Sequence, residues 1–560
     1  MSPFDHDLEK TSVPDLLRRA AQFAPQRGVN ILDRRGNSSG RRTYPELLAS
    51  VEASAQRLIA MGVKPQERVL ICLTTSFELL EAWLGAVFAG AYPVMVAPPG
   101  ALGGGAAHAL KLQYLCELLD PRAFICDGTT RNLLNEFNAA ETAKRSTLPE
   151  ELAKQTPAGA ALPTVSPREL AFLQLTSGST GRQRAVMISH RNVVHNTRGI
   201  LDFLQGEASD TVVSWLPLHH DMGLVGCTLF AFSRGFDLVL MRPDSFLARP
   251  QLWLQIISAH PNVMSPAPNF AYQLCVERAD PSDLKLDLSR WNTALTGAEM
   301  IRPETCNAFV DKFAAHGFKK SAYFGSYGMA ETTLAAASDM KRKGIRLAPM
   351  PPTAGAAREM KDVVCCGQPI VDCNIRIYSP AAPHTQMTDG TVGEIWFSGP
   401  SLFQGYYNDP AATNEALITQ DGATWLRTGD LGFMKDGELY VTGRIKELLI
   451  INGHNLMPHE LEWHAELASG SGGTERCGAF SVSRDEKGEQ AVLVLEVANT
   501  DKEHLTNLER DIRTRVGQTT GLPLADMVFL KRGQIPKTTS GKVQRRELKQ
   551  RYLEGRLERL

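Results

Sequence analysis

The sequence predicts an α/β protein in two domains, a large N-terminal one of parallel-rich sheets covered by helices and a small α+β C-terminal one. Three observations carry that prediction. The chain has 560 residues, too many for one ordinary core. Strand-like apolar runs alternate with helical patterns through most of its length, the signature of parallel sheets covered by helices. The composition then changes after "YVTGRIKELLIINGHN", which sets the boundary between residues 1–444 and 445–560.

The elements follow in order. "RVLICLT" reads as a buried strand, "SFELLEAWLGAVFAG" as a helix and "YPVMVAP" as the next strand. The most apolar window, Leu79 to Pro99, contains Glu81 and Pro93, so it reads as a buried helix, a break and a strand rather than a membrane span. The Ala/Pro/Thr-rich stretch over 140–167 reads as a surface connection. "ELAFLQL" and "AVMIS" read as strands on either side of a loop, and "TVVSWLP", "FDLVLM" and "NVMSPAP" as further buried strands. Past the boundary come a helix in "ELEWHAELAS", strands in "ERCGAFSVSRD" and "QAVLVLEVA", a charged helix from near Lys502 and a polar tail.

Several function classes are excluded. The formal net charge is -1, with 60 basic and 61 acidic residues, which is not a nucleic-acid footprint. "MKRKG" and the Lys/Arg-rich C-terminal stretch read as solvated faces. The acidic start "MSPFDHDLEK" is no signal peptide, so a cytoplasmic protein is expected. The ten cysteines include no CxxC pair, and buried free thiols are expected even at adjacent Cys365 and Cys366. "HELEWH" fails as a zinc-protease helix because Trp463 stands where the second His must be.

The loop in "LQLTSGSTGRQRAVMISH" is the first candidate site. Gly178 and Gly181 permit close backbone approach, and Thr176, Ser177, Ser179 and Thr180 supply hydroxyls. Successive N–H groups in such a turn make an anion-binding nest. A Walker loop would need Gly-Lys-Ser/Thr where Gln183 sits, so the residues leave two readings: a phosphate loop of another kind, or a polar turn.

Thr176–Gly181 resembles the phosphate loop of the adenylate-forming superfamily, which includes acyl-CoA synthetases, luciferases and peptide-synthetase adenylation domains. The resemblance continues in order through "TYPEL", "GAYPVMVAPP", "GAEM", "YGMAET", "GEIWFSGPSLFQGYYN", "RTGD", "GRIKELLIINGHNLMPHELE" and "IPKTTSGKVQRREL". It implies a β-barrel-like subdomain in the large domain, a mobile C-terminal domain, and ATP with Mg²⁺ as cofactors. It also implies that Gly297, Ala298 and Glu299 stack on the adenine, with Tyr327, Gly328, Met329 and Ala330 completing that site. Asp430 would accept the ribose hydroxyls, as an ionised carboxylate can, with Arg444 beside it. Glu331 and Thr180 would hold Mg²⁺, a hard cation that prefers oxygen. Lys542 would be the catalytic lysine, bridging carboxylate and α-phosphate, and Lys446 the hinge. Singly, each has a bland alternative: Asp430 a turn former, Glu331 a helix cap, Lys542 a solvated tail residue. The loop departs from the family pattern at Gln183-Arg184-Ala185, where Pro-Lys-Gly is usual.

Two features are similar to the fatty acyl-AMP ligase branch. "SWLPLHHDMGLVG" resembles its WLPxxHDMGL signature, which would put His220, Asp221, Met222 and Gly223 at the acyl pocket, with His220 also catalytic; the bland reading makes Asp221 a helix cap. The stretch between "YGMAET" and "GEIW" is longer than most acyl-CoA synthetases carry, like that branch's insertion, or it is a variable surface loop. The implied reaction makes acyl-adenylate and pyrophosphate from a fatty acid and ATP, then passes the acyl group to a phosphopantetheinylated acyl carrier protein. The alternatives are a fatty acyl-CoA synthetase, an aryl or small-acid adenylating enzyme, and an inactive binding module.

Overall fold

The computed structural model describes residues 4, 6–99, 105–137, 139–176, 183–204, 210–283, 285–339, 344–351, 362–382, 384–451, 454–468, 477–484, 488–520, 524–537 and 543–560. Residues 177–182, 340–343 and 352–361 of the insertion, and Lys542 lie outside them.

Local chemistry sets the element boundaries. "TYPEL" is a helix start: Thr43 caps Tyr44–Ala60, its N–H donating to Glu46 Oε2 at 2.8 Å while Pro45 fixes the first turn. The apolar window folds as read, into the helix Phe77–Phe88 and the strand Tyr92–Met95. Among the described residues no helix is long and apolar enough to cross a membrane.

A six-stranded sheet runs Ser146–Thr147, Ala123–Cys126, Arg68–Cys72, Tyr92–Met95, Leu170–Leu175, Ala185–Ser189. Its pairs are parallel except the last, the two strands that flank the loop. The 140–167 stretch is partly ordered into Ala140–Lys144, Ser146–Thr147 and Pro149–Ala153, a departure from the surface connection expected. Arg131 causes this, gripping Glu151 through two bonds of 2.7 and 2.6 Å and tying the segment to the sheet edge.

A second, longer sheet has a parallel half: Gly28–Leu32, Asp237–Leu240, Thr211–Ser214, Val263–Met264, Trp291–Gly297 and Tyr323–Gly328. It continues antiparallel through Ala335–Ser338, Asp362–Pro369, Glu438–Arg444, Ala423–Lys435, Gly393–Ser398 and Asn374–Tyr378. The expected barrel-like subdomain is therefore an open run among the described residues. The edge of Asp362–Pro369 that closure would use already pairs with Ala335–Ser338.

After Arg444 the described strands pair only with one another. Leu449–Ile451 meets His454–Leu456, and Cys477–Arg484, Gly488–Val497 and Leu524–Lys531 form a three-stranded sheet. Gly488–Val497 and Leu524–Lys531 are parallel, which needs a crossover, and Lys502–Thr520 supplies it. Leu524–Lys531 and the helix Arg545–Leu553 replace the polar tail read from sequence. Asp526 interrupts the apolar run and hides the strand; it is half-buried, accepting from Tyr552 and Arg559. This part has its own apolar clusters. All ten cysteines are free and buried, and burial lifts the Cys72 thiol to about 12 and Cys116 to about 11.

Candidate active site

A cleft of about 2390 Å³ opens where the ends of both sheets meet the segment after Arg444. Thr176, His220, Asp221, Met222, Glu331, Asp430, Arg444 and Lys446 line it, as do the turn Gly297–Glu299 and the stretch Tyr327–Ala330. The described sequence-predicted residues other than Gly223 thus share one cavity.

One wall is polar and tightly partnered. Asp430 lies in the strand Ala423–Lys435, opposite Arg444 in the neighbouring strand. Tyr327 donates its hydroxyl to Asp430 Oδ2 at 2.8 Å. Arg444 Nε lies 2.6 Å from Oδ1, out of line for a hydrogen bond. Oδ1 is thus a buried acceptor charge-paired with Arg444 but without a hydrogen-bond donor among the described residues. Burial next to Asp430 drives the Tyr327 hydroxyl well above its ordinary pKa, so it remains a donor.

Glu331 sits on a short 3₁₀ turn, Ala330–Thr332, only 7% exposed. Tyr406 donates to its Oε1 at 2.8 Å, and its backbone carbonyl accepts from Phe403 N–H at 3.0 Å. Burial raises its carboxyl above the usual range, partly offset by Tyr406. The Arg184 guanidinium lies over the Tyr406 ring at 5.1 Å and its Nε 3.5 Å from Asp409. Sequence reading missed Tyr406 as a partner of Glu331, although "GYYN" was in view; no local pattern links positions so far apart.

The adenine-turn candidates close the strand Trp291–Gly297. Ala298 takes φ +67°, a left-handed conformation costly for a side chain and typical of functional turns. Glu299 Oε1 accepts from Phe270 N–H at 2.6 Å, which anchors the turn. Gly328 is forced: a Cβ there would stand 1.7 Å from Leu334 O. Thr176 stays at the foot of the loop, its N–H donating to Arg184 O at 2.9 Å.

The other wall is apolar. His220 and Asp221 start a π-helix, Met222–Leu229, every residue of it buried. Asp221 accepts from Met222 N–H at 2.8 Å, the cap position of its bland reading, and also lines the cleft. Gly223 faces Pro217 O rather than the cleft, a Cβ there falling 2.5 Å from it, so its place is structural packing. His219 is half-buried beside His220, and desolvation holds its imidazole far below the ordinary range, hence neutral. Long π-helices are rare and concentrate at functional sites.

Lys446 occupies the 3₁₀ turn Ile445–Glu447, directly after the last strand of the long sheet. Three ion pairs flank the cleft beyond it. Arg302 pairs with buried Glu466 on the helix Pro458–Ala468, and Arg545 pairs with Glu462 at 2.7 Å and Glu447 at 3.1 Å. Among the described residues no group of three or more His, Cys, Asp and Glu is arranged to hold a metal ion by itself.

The sequence profile described as "AMP-binding enzyme" matches residues 17–407. The chain belongs to the AMP-binding enzyme family. This AMP-binding enzyme is 33% identical to a Caulobacter vibrioides protein provisionally named an acyl-CoA synthetase, over 96% of this chain and 95% of that one. It is 31% identical to a medium-chain-fatty-acid–[acyl-carrier-protein] ligase of Moorena producens, over 98% and 96%. A solved structure from work on fatty acyl-adenylate ligases of E. coli and L. pneumophila superposes with a TM-score of 0.88 at 32% identity, covering 98% of this chain and 99% of that one.

Proposed function

We propose that this AMP-binding enzyme is a fatty acyl-AMP ligase: it activates a fatty acid with ATP to acyl-adenylate and pyrophosphate, then passes the acyl group to the phosphopantetheine thiol of an acyl carrier protein. The observation that carries the nucleotide half is Asp430 Oδ1, a buried acceptor 2.6 Å from Arg444 Nε and without a hydrogen-bond donor among the described residues. Ribose hydroxyls are the donors it fits. Names carried by the relatives from Moorena producens and from E. coli and L. pneumophila support the fatty-acid half.

In the first step a carboxylate oxygen of the fatty acid attacks the α-phosphorus of ATP, and the bond to the β-phosphate oxygen breaks. Positioning and charge neutralisation are what the protein must supply. Thr176–Gly181 would hold the outer phosphates, Gly297–Glu299 and Tyr327–Ala330 the adenine, Asp430 and Arg444 the ribose. His220 would flank the carboxylate, and Lys542 would bridge it to the α-phosphate. Glu331 fits a hard cation: it is a buried carboxylate that burial alone disfavours, and a bound charge would offset that cost. Mg²⁺, held by Glu331 and Thr180, would neutralise developing phosphate charge. In the second step the carrier thiol attacks the acyl carbonyl and AMP leaves.

Two domains, 1–444 and 445–560, turning about Lys446 between the steps, suit the separate sheets and apolar clusters on either side of it. Ten buried free thiols and the use of ATP favour the cytoplasm.

The test is an acceptor assay. The protein is given ATP, Mg²⁺ and dodecanoate, then CoA or a holo acyl carrier protein, with products read by mass spectrometry. Adenylate that persists with CoA and is consumed by the carrier is expected. Efficient acyl-CoA formation would make it an acyl-CoA synthetase, the name its Caulobacter relative carries.

A further inference from the structure

We propose that Gly226 is the seat of Leu334, and that this pair sets the bore of the acyl tunnel. The proposal rests on the fatty-acid reading and assigns it a specificity determinant. Both residues line the cleft, Gly226 from the π-helix Met222–Leu229 and Leu334 from the segment after Glu331. They touch. A Cβ at Gly226 would lie 2.7 Å from Leu334 Cδ2, so the leucine rests on bare helix backbone.

Neither backbone is free to yield. Asn196 donates to Thr332 O at 3.1 Å and Ala335 O at 2.9 Å and accepts from Ala335 N–H at 3.1 Å, clamping the chain on both sides of Leu334. Thr332 Oγ1 donates to Leu334 O at 3.1 Å, and Thr333 Oγ1 to Ser401 O at 2.7 Å. On the helix side, Gly223 abuts Pro217 O, and Thr228 Oγ1 bonds Gly223 O at 3.0 Å. A side chain at 226 can therefore be accommodated only by swinging Leu334 off its seat, and the open space beside it is the cleft. The apolar side chains around that space, Met222 and Trp215 among them, suit an alkyl chain.

The test compares kcat/KM for adenylate formation with dodecanoate and with butanoate. Gly226→Val should lower the dodecanoate-to-butanoate ratio about tenfold or more, the scale on which apolar pockets discriminate. Leu334→Phe should lower it from the opposite side without altering the helix. The double variant Gly226→Val with Leu334→Ala should recover most of the ratio, because the displaced group is gone. A fold defect at Gly226 would depress both acids alike and would not be rescued. An active wild type whose ratio is unmoved by Leu334→Phe, or a double variant no better than Gly226→Val, overturns the seat. A wild type inert toward every alkanoate overturns the fatty-acid reading, and the seat with it.

Discussion

The two walls of the cleft are built on opposite principles. The polar wall is a set of charges and hydroxyls held in pairs: Tyr327 with Asp430, Asp430 with Arg444, Tyr406 with Glu331. Its energy is in partners, and removing one leaves the other stranded. The apolar wall holds its shape through absences, the missing Cβ at Gly226 above all. Truncation should break the first wall and enlargement the second.

Lys542→Ala is the sharpest break. Adenylate formation is expected to fall below detection while ATP binding, followed calorimetrically, persists; normal adenylate formation would remove Lys542 from the reaction. Asp430→Ala strands Tyr327 and Arg444 and deletes the ribose acceptor. The KM for ATP should rise by about 100-fold, as expected for two charge-assisted bonds, and an unchanged value would place the ribose elsewhere. Lys446→Pro should leave adenylate formation within about threefold and stop carrier loading, since a proline cannot take the backbone change of a hinge; equal loss of both half-reactions would refute the hinge. Tyr406→Phe removes a single hydroxyl from Glu331 and should slow adenylation about tenfold, or about 1.4 kcal/mol, with little change in KM for the fatty acid.

The smallest effect is on stability, and it involves neither wall. Burial holds His190 and His195 near a pKa of about 4. The unfolded chain protonates them at about 6.5, so the folded state has its full stability above that pH and loses it as pH falls toward 4. The melting temperature should drop from pH 7 to pH 5, and the drop should shrink in His195→Asn.

The same contrast decides what the sequence reveals. Polar-wall residues sit in short contiguous motifs, because a turn that presents Glu331 or Asp430 needs fixed residue types around it. The apolar wall's motif is contiguous too, but its seat joins two distant segments, Gly226 and Leu334, and a glycine in "GLVG" reads like any other helix glycine. Contacts across long separations stayed hidden even on the polar side, as with Tyr406 and Glu331. Alternation of strands and helices gave the parallel halves of both sheets, since buried strands announce themselves by apolar runs. It missed Leu524–Lys531, where a half-buried Asp526 breaks the run; the barrel-like subdomain, expected from the resemblance and not from periodicity, is an open run because Asp362–Pro369 pairs with Ala335–Ser338.

The buried cysteines have a practical consequence. With every native thiol inside the fold, and those at Cys72, Cys116, Cys126 and Cys227 held almost entirely protonated at neutral pH, maleimide reagents have no ready target on the native surface. A pair of cysteines introduced at exposed sites, one before Lys446 and one after it, would take fluorophores without any native residue being replaced first. Single-molecule distances between them would then report, turnover by turn, whether the two halves of this enzyme change places.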